Sequence, residues 1–289
     1  MSLSFLSECK EKVLNRIDAL LPDSNKIVSS MRYSAMADSK CIRAGLIFAS
    51  GNLNKEISNP ALIDMATSIE LMHTYSLIHD DLPSMDNDNI RRGQASNHIK
   101  FNEATAILTG DALQALAYET IVSSSDINHE QKIASIKALS NACGHEGMIL
   151  GQQYDLDAEN NEYNDIKKIH ELKTGKLIQI AMTMPHLGDE EQKNKLMVLE
   201  RVGKDLGLAF QIMDDVLEIS SDSSTLGKSN QSDLANKKLT YVSAYGKKEA
   251  IEQAHALSRA CISKLQDCFD ETEVMNLVGL ARFMVERKN

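Results

Sequence analysis

The chain has 289 residues, 43% of them hydrophobic and 25% charged, which allows one large globular domain or two ordinary ones. A formal net charge of −10 with no Lys/Arg-rich run argues against a nucleic-acid partner. Five scattered cysteines (Cys9, Cys41, Cys143, Cys261, Cys268) show neither CxxC pairing nor metal-ligand spacing and read as reduced thiols.

No apolar run reaches the length of about 18 residues that spans a bilayer. The start "MSLSFLSECKEKV" meets charge before a signal-type apolar stretch can form, so a cytoplasmic protein without stable membrane insertion is expected. Four prolines, no alternating strand pattern and no NG or DG turn argue for helices throughout. Polar or glycine-bearing breaks fall at 22–26, 50–60, 123–130, 158–165, 188–194 and 220–233, and none resembles a flexible linker. The expected architecture is an all-α helical bundle, a single domain over residues 1–289.

In chain order, the first cations of interest are Lys40 and Arg43 in "DSKCIRAG". Apolar residues then recur at helical spacing through Leu62, Met65, Ala66, Ile69 and Met72. This predicts a helix from Ala61 to about Asp81, ended or kinked near Pro83. His73 and Asp80 lie two turns apart on it and share a face.

Asp80, Asp81 and Asp86 form a DDxxxxD pattern, followed by Arg91 and Arg92. Crowded carboxylates repel unless a cation sits between them. Oxygen donors without Cys or His favour magnesium, which keeps waters and accepts phosphate oxygens. A calcium loop starting at Asp86 fails, because Ile90, Arg91 and Asn97 stand where an EF-hand needs Asn or Asp, Gly and Glu. A solvated acidic helix end is the plain alternative. The adjacent arginines weigh against it, since carboxylates beside arginines suit a polyphosphate held through metal and bidentate contacts.

Further on, "HELKTGKLIQIA" carries Lys173, Thr174 and Lys176 at the start of another apolar helix. Then "KDLGLAFQIMDDVLEISSD" sets Gly207, Gln211, Asp214 and Glu218 on one helix face, with Leu206, Phe210, Met213 and Leu217 beside it toward the core. Acidic pairs decorate many solvent faces, but two such helices in one chain are less easily dismissed. If they face each other, their carboxylates could hold several magnesium ions over one diphosphate. Downstream, "TLGKSNQSDLANKKLTY" adds Lys228, Lys237 and Lys238. Each lysine alone is by default a solvated surface residue and matters only for the pattern it completes.

Together these residues resemble the trans-isoprenyl diphosphate synthase family, in its bacterial farnesyl diphosphate synthase branch, from "MRYSAM" at 31 to the end of the chain. The motifs are DDxxxxD with Arg91-Arg92-Gly93, "GDAL" at 110–113, "GMILGQ" at 147–152, "KTG" at 173–175, "FQIMDDVLE" at 210–218 and "LGK" at 226–228. The resemblance implies ionisation of an allylic diphosphate, then alkylation of isopentenyl diphosphate by the carbocation, with the departed diphosphate able to accept the final proton. It implies Asp80, Asp86 and Asp214 as direct ligands of three magnesium ions, with Asp81 and Glu218 in support. Arg91, Lys173 and Lys228 would stabilise the leaving diphosphate, with Thr174, Gln211 and Lys238 as neighbours. Lys40, Arg43, His73 and Arg92 would hold the diphosphate of isopentenyl diphosphate. Cations already in place would stabilise the developing charge more than the ground state. The family is usually a homodimer.

Tyr75, five residues before Asp80, resembles the bulky residue that closes the product tunnel at fifteen carbons in this branch. An ordinary core aromatic is the bland reading. The chain departs from the family pattern in three places. Asp38-Ser39-Lys40-Cys41-Ile42-Arg43-Ala44 replaces "GGKRLRP", Glu218 stands where aspartate is usual, and Thr240-Tyr241-Val242 replaces "TYP". Geranylgeranyl diphosphate synthase is the alternative product reading. A weakly active partner subunit of a heteromeric synthase and a class I terpene cyclase are the competing classes. The first would have lost metal carboxylates, and the second would need no second diphosphate site.

Overall fold

A computed structural model describes residues 3–225 and 239–286. Within them the chain is helical apart from one short hairpin, and it divides into two compact units.

The first unit comprises Ser2–Ile136 with Met184–Glu190. It contains α1 (Leu3–Leu20), α2 (Lys26–Ala35), α3 (Ile42–Gly51), α4 (Asn59–Asp80), α5 (Asn97–Lys100) and α6 (Glu103–Ser123). The start of α4 is set by Ser58, whose hydroxyl accepts from the Ala61 N–H at 3.2 Å, and by a proline in its first turn. Its end falls at Asp80, three residues before Pro83. This helix is buried around most of its circumference, with Met65, Ala66, Ile69, Leu71 and Met72 fully enclosed. Each large side chain so buried contributes about 1.5–3 kcal/mol. It packs against α3 and α6, and Ser68 donates to the Ala117 carbonyl at 2.7 Å. The buried Asp64 is paired with Arg16 at 2.7 Å.

The hairpin was not expected from the sequence. Strands β1 (Ile90–Arg91) and β2 (Gln94–Ala95) pair antiparallel, Ile90 with Ala95 and Arg91 with Gln94. The turn has φ +54° at Arg92 and +75° at Gly93, the left-handed pair that a two-residue hairpin requires. Tyr33 of α2 donates its hydroxyl to the Ala95 carbonyl at 2.7 Å, and Gln94 donates to the Tyr33 carbonyl at 3.2 Å.

The second unit comprises Lys137–Thr183 with Glu191–Asn289. Helix α7 (His129–Cys143) spans the division. Then follow α8 (Met148–Glu159), α9 (Ile166–His170), a π-helical turn at Glu171–Gly175, α10 (Lys176–Thr183) and α11 (Lys193–Thr225). After the undescribed stretch come α12 (Tyr241–Tyr245), α13 (Lys247–Cys268) and α14 (Glu271–Glu286). Helix α11 packs on α10 and α13, and runs past the break expected from residue 220. Ala209, Ile212, Met213 and Val216 of α11 meet Ile166, Ile169, Tyr241, Ala250 and Ala254 in one apolar cluster.

Candidate active site

In the first unit the DDxxxxD stretch closes on itself. Beyond α4 the chain turns through Met85 N–H to Leu82 carbonyl (2.9 Å) and Asn87 N–H to Leu82 carbonyl (3.1 Å), with Asn87 at φ +52°. The Asp86 N–H then donates to the Asp80 carbonyl at 2.9 Å. The spacing of the outer aspartates is thus the length of a loop that returns to its origin. Asp86 Oδ1 is buried and has no hydrogen-bond partner. A buried acceptor without a donor, among other carboxylates, suits a cation.

Asp81 is 2% exposed and turns toward Arg91. Arg91 donates Nε to Asp81 Oδ1 at 2.9 Å and Nη2 to the same oxygen, and reaches Asp88 Oδ2 at 3.0 Å. Burial pushes the Asp81 carboxyl above its usual range, and Asp88 and Asp86 add to this, against the opposing Arg91. For Arg91, burial works against the charge, but the bond to Asp81 and the charges of Asp81, Asp88 and Asp80 outweigh it and raise its affinity for the proton. Asp81, expected in support of the metal, orients Arg91.

The cations expected for the second diphosphate are drawn together in part. His73 is half-buried, and burial together with Arg43, Arg92 and Arg91 holds its imidazole well below the ordinary value of 6.5. Arg92 is half-buried and Lys40 is exposed. Cys41, where the family pattern has arginine, is buried at the start of α3 with φ +45°, and burial pushes its thiol up to about 12. Ala44, where the pattern has proline, uses the N–H a proline would lack: it donates to the buried Glu70 Oε1 at 2.9 Å. The altered loop thus starts its helix on a carboxylate, which also complements the helix dipole.

In the second unit Lys173 and Thr174 sit in the π-helical turn, a local widening that often marks functional positions. Lys173 Nζ bonds Asp155 Oδ2 at 2.7 Å, which leaves further ammonium donors for a ligand. Thr174 donates to Gln211 Oε1 at 2.6 Å, and Gln211 Nε2 donates to Asp215 Oδ1 at 3.2 Å. Asp214 is half-buried and Glu218 exposed on the same helix. Two glycines allow this packing: a Cβ at Gly151 would lie 2.7 Å from Lys173 Cα, and one at Gly207 would lie 2.7 Å from Gly175 Cα. Lys228 and Lys238 lie outside the described residues.

Residues 24–278 match the family described as Polyprenyl synthetase. The chain belongs to this family. It is 38% identical over 270 residues to the farnesyl diphosphate synthase of Haemophilus influenzae, covering 91% of this chain and 89% of that one. Among solved structures it is similar to an FPP/GFPP synthase from Zymomonas mobilis, with a TM-score of 0.86 and 32% identity over 98% of both chains. It is also similar to a geranyltransferase from Helicobacter pylori complexed with magnesium and isoprenyl diphosphate, with a TM-score of 0.82 and 28% identity over 99% of both chains.

Sequence reasoning about this polyprenyl synthetase missed several residues that hold the expected ones. Asp215, the second aspartate of "MDD", is 4% exposed. It accepts from the Tyr241 N–H at 2.6 Å and lies 3.3 Å from His170 Nε2. Asp155 and Glu70 were also overlooked. Glu70 had only the signal of a carboxylate between apolar neighbours, and Asp155, among Gln152, Gln153 and Asp157, had none. At the "TYP" departure, Thr240 and Ser243 form a reciprocal capping box, so α12 starts without a proline at Val242. Among the described residues no three His, Cys, Asp or Glu side chains form a ready-made metal cluster. No described helix is long and apolar enough to cross a membrane.

Proposed function

We propose that this polyprenyl synthetase condenses isopentenyl diphosphate with dimethylallyl or geranyl diphosphate to give farnesyl diphosphate, in isoprenoid biosynthesis. The observation that carries this reading is the aspartate loop, where Asp86 returns onto Asp80 with a buried oxygen unpaired, beside an arginine oriented by Asp81. In the reaction the allylic C–O bond breaks, its electron pair leaves with the diphosphate, the isopentenyl double bond attacks the cation, and a proton is lost.

Asp80, Asp86 and Asp214 would hold magnesium, three ions in all, with Asp81 and Glu218 behind them. Magnesium favours few carboxylates together with waters and phosphate oxygens, and when bound it supplies charge to stabilise a leaving diphosphate. Arg91, Lys173 and Lys228 would contact that diphosphate, supported by Thr174, Gln211 and Lys238. Arg91 and Lys173 already have one set of donors fixed by Asp81 and Asp155, so little side-chain freedom remains to be lost on binding. Lys40, Arg43, His73 and Arg92 would hold isopentenyl diphosphate. Tyr75, buried on α4, would limit product length.

We take the chain as a single domain over 1–289, cytoplasmic, and a homodimer. Ile107, Leu108 and Val122 are 45%, 55% and 53% exposed on α6, an apolar face suited to a second copy. Purified protein incubated with magnesium, isopentenyl diphosphate and geranyl diphosphate should release farnesyl diphosphate. Absence of turnover, or a hydrocarbon released from the allylic diphosphate alone, would refute the proposal.

A further inference from the structure

Tyr75 does not stand alone on α4. One turn later His79 presents its ring edge-on to it, with centroids 5.5 Å apart and planes at 90°. His79 is itself fixed from α6: its Nε2 donates to the Ile107 carbonyl at 3.0 Å. The ring also lies directly over Gly110. A Cβ there would come within 2.5 Å of His79 Cδ2 and 2.8 Å of Cε1, and the three nearest atoms all belong to this one side chain. Gly110 has an ordinary helical φ, so its missing side chain serves the space beneath the imidazole and no backbone need.

The consequence is directional. A buried ring that limits a tunnel works only if it keeps one orientation. An edge-to-face neighbour restricts its tilt, provided the neighbour is itself held. Here the neighbour is held by a hydrogen bond on one side and by a close-fitting glycine below. We infer that His79 is a positioning residue for product length, acting through Tyr75, and that Gly110 is present to seat it. This rests on the reading of Tyr75 as the limit of the tunnel.

The test is the ratio of longer products to farnesyl diphosphate, formed from geranyl and isopentenyl diphosphates by the full-length protein. The ratio is counted per molecule turned over, so a loss of rate does not enter it. His79→Ala should raise the ratio about tenfold, the scale on which one aromatic edge contact shifts an equilibrium. In a Tyr75→Ala background the same change should add nothing, because the ring it positions is gone. As a check on the seat, Gly110→Ala should lower thermal stability, and adding His79→Ala should restore most of the loss. An unchanged ratio in His79→Ala while Tyr75→Ala lengthens the product overturns the inference and leaves the tunnel reading standing. An equal effect of His79→Ala with and without Tyr75 also overturns it. If Tyr75→Ala itself changes nothing, the tunnel reading falls and takes the inference with it. If His79→Ala fails to rescue Gly110→Ala, the seating argument is wrong.

Discussion

Asp215→Ala and Asp214→Ala remove the same atoms from adjacent positions and should have opposite phenotypes. The Asp215 carboxylate is 4% exposed and accepts from the Tyr241 N–H at 2.6 Å and from Gln211 Nε2 at 3.2 Å. Without it, the Tyr241 N–H in the apolar cluster and the half-buried Gln211 amide lose their acceptor. A buried donor left unpaired costs about 1–3 kcal/mol, so the loss should total about 3 kcal/mol. For a chain of this size that corresponds to a fall in melting temperature of about 5 °C. Asp214 is half-buried, and its removal should cost about 1 kcal/mol or less while turnover falls at least about a hundredfold, as when a transition-state charge stabiliser is lost. Asp215→Asn keeps the shape and one acceptor for Tyr241, so it should lose about half of what Asp215→Ala loses. Thermal unfolding followed by circular dichroism, beside steady-state turnover, measures both quantities on the same preparations. An Asp215→Ala protein melting within about 2 °C of its parent would show that the bonds to Tyr241 and Gln211 are not what anchors α12 to α11.

A second prediction concerns pH. His73 is held well below 6.5 by burial and by Arg43, Arg92 and Arg91, so below pH 6.5 the unfolded chain takes up a proton that the folded chain refuses. This contribution to stability is complete above pH 6.5 and is lost as the pH falls, at up to about 1.4 kcal/mol per pH unit. Denaturant titrations should show the slope in the parent and a flatter one in His73→Asn; equal slopes would refute the assignment. Gly151→Ala should cost about 1–3 kcal/mol and depress turnover, because its methyl meets the backbone of the π-helical turn, which cannot rotate aside. Normal melting and normal rates would refute that close approach. Leu108→Glu on α6 should convert a dimer to a monomer in sedimentation velocity, and an unchanged dimer would move the interface elsewhere.

How much of this was legible in the sequence depends on the range of the interaction that decides each feature. Helix α4 was readable to within two residues because Ser58, Pro60 and Pro83 punctuate it locally. The hairpin was not, because strands of two residues have no period to detect and its turn is Arg-Gly, not Asn-Gly or Asp-Gly. The run of α11 through Ser and Asp to Thr225 defeats propensity in the same way, since weak helix formers are carried by a long packed helix behind them. At the site, spacing identified the acidic residues, but spacing is blind to burial. Asp81 and Asp215 differ from Asp80 and Asp214 by one position each, a rotation of about 100° around the helix, and that rotation alone turns them inward. Once inside, a carboxylate must find donors or lose its charge. The donors it finds, the Arg91 guanidinium across a loop and the Tyr241 amide 26 residues away, are set by tertiary packing. Each "DD" pair thus divides by burial: Asp80 and Asp214 are half-buried, while Asp81 is enclosed against the Arg91 guanidinium and Asp215 against the Tyr241 amide.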